Sequence, residues 1–212
     1  MLSPKRWSRL CRTLGARDPL ANAFDMIRDR YNELGRYYHT SEHIRECLDH
    51  LDEVAVSVDD PASVEMAIWM HDVIYDPRAH DNEQRSADFA KHLLESSGVA
   101  SETTSQINEL ILITRHSDEP NTHDECIIAD IDLSILGATP DRFDAFERQV
   151  RAEYVWVPEA EFVARRAEIL QGFRVRKSIY LTPQFRKTFE DQARLNLDRA
   201  IACLHRQRRA GH

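Results

Sequence analysis

Glycine is scarce in this chain: 6 residues in 212. Sandwiches and barrels need many tight turns, so this scarcity argues against both. Cysteine is equally sparse. The four residues Cys11, Cys47, Cys126 and Cys203 are far apart and form no paired metal or redox spacing. Their pattern excludes a disulfide scaffold and leads to the expectation of a reduced, cytoplasmic protein. No apolar run approaches membrane-spanning length, so no membrane partner is expected. The basic segment from Met1 to Arg12 lacks the apolar stretch of a signal peptide. Positive charge is in deficit, with a formal net charge of −8. That disfavours binding to duplex nucleic acid. It leaves room for a small anionic substrate, because a local metal can dominate the field of one pocket.

What is present is helical patterning. A hydrophobic fraction of 42% suffices for a real core, and the length suits one domain. Asp18-Pro19, Asp60-Pro61, Thr139-Pro140 and Thr182-Pro183 each pair an N-cap residue with proline at the first helical position. The spacing of apolar residues predicts helices at about 3–14, 19–34, 40–57, 61–75, 82–97, 101–116, 124–136, 140–156, 158–173 and 183–207. Strand alternation is not convincing anywhere, and the expected fold class is all-α.

The segment Ala67-Ile68-Trp69-Met70-His71-Asp72-Val73-Ile74-Tyr75 is apolar nearly all round, so it should be buried. It nevertheless carries His71 and Asp72 side by side, read here as its last turn. Burying a carboxylate and an imidazole without partners is costly, and a bound cation offsets that cost. Upstream, His39 and His43 lie four residues apart around a capped helix start at Thr40 or Ser41. They either share a metal or divide into one ligand and one residue facing the substrate. Downstream, Asp130 and Asp132 interrupt the apolar run from Ile127 to Leu136. Aspartate is rarely buried alone, so one of the two is read as a further acidic ligand. Asp76 and Glu83 are the nearest other carboxylates and are candidates for acid and base roles. Arg115 and His116, at the end of the helix about 101–116, are candidate substrate contacts. Arg165, Arg166, Arg174, Arg176 and Lys177 read mainly as solvated faces.

The ordered set of a histidine, then His-Asp, then a distant aspartate on an all-helical chain resembles the HD-domain superfamily of metal-dependent phosphohydrolases. The strings WMHDVIYDP, DNEQRSA and ADIDLSILG are similar to a bacterial family of predicted HD-superfamily phosphohydrolases, as are Arg151-Ala152-Glu153-Tyr154 and Ala193-Arg194-Leu195-Asn196-Leu197. The resemblance implies one HD-like helical domain over 1–212, with a metal-site core at about 36–137 and a C-terminal helical extension at about 140–207. The string from Tyr38 to His43 is also similar to the entry motif of cyclic-nucleotide phosphodiesterases, which implies His43 as ligand and His39 as proton donor. The Ala-Asp-x-x-Leu form of other HD proteins favours Asp130 over Asp132 as the last ligand. The implied metal set is thus His43, His71, Asp72 and Asp130, with His39, Asp76 or Glu83 handling protons.

Two imidazoles and two carboxylates suit a divalent manganese, iron, cobalt, nickel, zinc or magnesium ion. The expected activity is hydrolysis of a small phosphoester, nucleotides included, by activated water. The alternatives are a non-catalytic metal- or nucleotide-binding module and a di-iron oxygenase of the HD type. Homo-oligomerisation is compatible with the sequence.

Overall fold

The computed structural model describes residues 2–17, 20 and 22–210. Among these residues there are ten α-helices and no strands, which makes the fold all-α. The helices are α1 (Pro4–Thr13), α2 (Phe24–Arg30), α3 (Ser41–Val54), α4 (Pro61–Met70), α5 (Asn82–Ser96), α6 (Ser101–Ile113), α7 (His123–Asp132), α8 (Pro140–Glu153), α9 (Glu159–Arg174) and α10 (Pro183–Ala210). Short 3-10 turns follow α3 at Ala55–Ser57 and α7 at Leu133–Gly137. No helix among the described residues is long and apolar enough to cross a membrane.

Two of the four expected proline caps use their side chains. Asp60 accepts from the amides of Ala62 and Ser63 at 3.2 and 3.1 Å, and Thr182 accepts from Phe185 at 3.4 Å. Thr139 makes no side-chain cap bond, and Asp18-Pro19 lies outside the described residues. Several ends differ from the periodicity reading, and three of them bear on the candidate site. The helix expected to reach residue 75 stops at Met70, with His71 as its cap. The helix expected to reach 116 stops at Ile113, and His116 adopts a left-handed φ of 56°. The helix expected over about 124–136 becomes a 3-10 turn after Asp132. Beyond Met70 and Asp132 apolar periodicity runs on because Val73 and the residues Leu133–Gly137 stay buried after the hydrogen-bonding pattern has changed.

The chain divides into two compact units, Met1–Ile131 and Asp132–His212. In the first, α4 is the central element. Every residue from Met66 to Met70 is within 1% of full burial. Helices α1, α3, α5 and α6 all pack on it. Trp69 meets Trp7 edge-on at 5.2 Å, and the Trp7 indole N–H donates to the Leu20 carbonyl at 2.9 Å. In the second unit, α9 packs along α10, and α10 packs on the turn at Leu133–Gly137. Tyr180, Phe185 and Phe189 form an aromatic cluster there. Gly137 is required at that turn, because a Cβ would lie 2.6 Å from the Phe189 backbone oxygen.

Candidate metal centre

His43 and His71 reach one point from different helices. His43 lies on the first turn of α3, whose start is capped by Thr40 accepting from the Glu42 amide at 3.3 Å. His71 caps the end of α4. Their Nε2 atoms are 3.2 Å apart, and Asp72 Oδ2 lies 3.1 Å from His71 Nε2 and 3.7 Å from His43 Nε2. All three residues are buried. Asp132, half-buried, also brings a carboxylate oxygen to the histidines, and one ligand atom from each of His43, His71 and Asp132 falls within 4.8 Å of the others.

The spacing suits a cation. A divalent ion held at about 2.1 Å by N and O donors spaces neighbouring donors by roughly 3.0 Å in octahedral and 3.4 Å in tetrahedral geometry. The proton inventory agrees. His71 Nδ1 is 2.9 Å from the Ile68 carbonyl, which can only accept, so that nitrogen carries the hydrogen. In the neutral ring Nε2 then presents a lone pair to the site. Burial alone would push the Asp72 carboxyl up. The imidazole of His71 first, then those of His39 and His43, outweigh burial and hold it well below the usual carboxylate range. The arrangement is a buried cluster of imidazole nitrogens and carboxylate oxygens, and His43, His71 and Asp132 could hold a metal ion.

Of the two aspartates on α7, it is Asp132 and not the favoured Asp130 that joins the histidines. Two residues along a helix are about 200° apart around it, so only one of the pair can face the site. Asp130 is buried, at 1% exposure.

His39 stands beside the cluster. Its ring stacks on Tyr75 at 4.1 Å and lies 6.1 Å from the His43 ring. The remaining candidates have other surroundings. Asp76 is exposed and accepts from the Arg78 amide in its own turn at 2.9 Å. Glu83 is half-buried on the first turn of α5. Arg115 is exposed and lies 3.9 Å from Asp118. None of the four residues Asp76, Glu83, Arg115 and His116 belongs to the donor group. Arg166 and Arg174, read as solvated, pair with Glu147 and Asp198.

Sequence reading gave no role to the frame around the cluster. Arg36 is buried and donates to the carbonyls of Asp72 at 2.6 Å and Val73 at 3.1 Å. Its guanidinium lies between the rings of Tyr31 and Tyr75, at 5.3 and 5.5 Å. Tyr31 donates to the Trp69 carbonyl at 2.9 Å. Ser86 accepts from the Ile74 amide and donates to its carbonyl, and Asn82 does the same for Asp76 through its side-chain amide. Arg36 sits three residues before His39 and Ser86 inside the DNEQRSA string, so position relative to the histidines was the available signal.

Comparisons with protein families, characterised proteins and solved structures find no match.

Proposed function

We propose that this protein is a metal-dependent phosphohydrolase of a small phosphoester. The observation that carries the reading is the convergence of His43 Nε2, His71 Nε2 and Asp72 Oδ2 within 3.1–3.7 Å of one another. Asp132 offers a second carboxylate to the same two histidines. A divalent ion bound there supplies Lewis acidity to a phosphoryl oxygen and lowers the pKa of water.

The chain's own residues do the rest. Two carboxylates balance the ion's charge, and four protein donors leave coordination positions open in an octahedral ion. The bond from Nδ1 to Ile68 sets the tautomer in which a neutral His71 would offer Nε2 as the ligand. His39, held flat against Tyr75, donates the proton to the departing alkoxide and so prevents a strongly basic leaving group from forming. Arg36 holds the His-Asp turn against the segment that carries His39 and His43 through the carbonyls it binds.

The test is metal content by mass spectrometry on untagged protein, with phosphate release measured from a panel of nucleotides and sugar phosphates under added manganese, nickel or magnesium. About one metal per chain, with phosphate release abolished in His71→Ala, is the expected result. Metal without turnover of any phosphoester would overturn the hydrolase reading and leave a binding module. Failure to load any metal would overturn the centre itself.

A further inference from the structure

The second unit carries an unassigned cavity of about 420 Å³ enclosed by α8, α9 and α10. That volume lies within the range of small-molecule sites. Phe162, Val163 and Leu204 give it apolar walls, and the cavity is ringed by arginines.

The charges in the lining do not cancel. Arg199 pairs with Asp144 at 2.7 Å, and Arg151 pairs with Glu159 at 2.9 Å. The third carboxylate, Glu147, is taken by Arg166, which is not part of the lining. Every acid at the cavity is therefore committed to a guanidinium. Arg148 and Arg206 also line it, and among the described residues neither has an ion-pair partner. A chain with a net charge of −8 thus presents two uncommitted guanidiniums beside an apolar hollow. Arg151 adds a preset edge: its guanidinium lies 4.6 Å from the Phe162 ring centre and donates to the carbonyls of Tyr154 and Val157.

We infer that this cavity binds a small organic anion with an apolar body, its carboxylate, sulfonate or phosphate held by Arg148 and Arg206. Guanidinium forks match the geometry of such oxyanions, and the low-dielectric wall strengthens the attraction. The inference is independent of the metal centre and survives if that reading fails.

Cys203 supplies the test, because it lines the cavity and is an exposed thiol, whereas Cys11 and Cys47 are buried. The probe is anilinonaphthalene sulfonate, an aromatic anion, titrated into the full chain by fluorescence. The same samples are alkylated and the labelling of each cysteine is read by mass spectrometry. One probe per chain is expected, with Cys203 labelling slowed at least fivefold and Cys126 labelling unchanged. Arg148→Glu with Arg206→Glu, both at exposed positions, should weaken the probe at least tenfold and restore the Cys203 rate. No binding, binding that leaves Cys203 unprotected, or binding that survives the charge reversal would each overturn the inference.

Discussion

Asn196 and His71 are both buried polar residues, at 1% and 3% exposure, and their surroundings could hardly differ more. Asn196, in the second unit, donates to the carbonyls of Leu136 and Ala138 at 2.9 and 2.8 Å. Glu190 nearby accepts from the amides of Ile179 and Tyr180, and the Tyr180 hydroxyl donates to Leu133. Each of these groups meets its complement, donor against acceptor, within the protein. In the first unit the outer nitrogen of His71 is satisfied in the same way by Ile68, while its inner nitrogen faces another imidazole and a carboxylate. Structural polar groups are paired with opposites. The groups of the candidate centre instead crowd two imidazoles and a carboxylate around one point, an arrangement that a cation would stabilise further.

Substitutions separate the two situations. Asp72→Ala should lower metal affinity by at least about a thousandfold, taking occupancy from one ion per chain to almost none by mass spectrometry, since a ligand and half the neutralising charge go together. Asn196→Leu should leave the metal untouched and cost about 2–4 kcal/mol in urea unfolding, because it strands two carbonyls and alters a packed position. If that variant also shed metal, the division between the units' roles would collapse.

A finer pair tests the phase of α7. Asp132→Asn should weaken metal binding roughly ten- to a hundredfold, by analogy with the loss of oriented ligand interactions. Asp130→Asn should instead show its effect in stability. The reverse outcome would exchange the two aspartates. Arg36→Lys should reduce affinity about tenfold while the fold persists, because one ammonium cannot span two carbonyls as a planar fork does. Calorimetric titration with manganese would measure the affinities of all three variants, and urea unfolding their stabilities.

The smallest effect lies away from the site. Burial pushes the Cys11 thiol up to about 11 from an ordinary 9.0. A raised folded-state value means that the stabilisation is complete below the unfolded value and is lost as pH rises through the folded one. Wild-type urea midpoints should therefore decline between about pH 9 and 11, and Cys11→Ala should show a shallower decline.

Much of this was legible from composition and pattern. The all-helical class followed from glycine scarcity, proline caps and apolar spacing. The apolar frame of Trp69 and Met70 marked His71 and Asp72 as unusual, whereas spacing left His39 and His43 open and only the resemblance to the phosphodiesterase entry motif singled out His43. What was not legible depends on atoms that periodicity does not encode. Asp130 and Asp132 carry equal chemical credentials, and only the rotational phase of α7 separates them. The end of α4 at Met70 is hidden because Val73 and Ile74 stay apolar, while the carbonyls beyond it turn to Arg36 and Ser86. Those partners are 36 residues upstream and 12 downstream, outside any local window.

The carbonyls along the His-Asp turn have a further consequence. Those of Ile68, Trp69, Met70, Asp72, Val73 and Ile74 accept in order from His71, Tyr31, the Val73 amide, Arg36 twice, and Ser86. The scaffold under the ligands is thus complete in the polypeptide alone, unlike small domains that collapse only around their ion. The fold would therefore not depend on an ion at this site: treatment with a chelator is expected to leave the helical content unchanged, read by circular dichroism, whether or not the protein takes up metal.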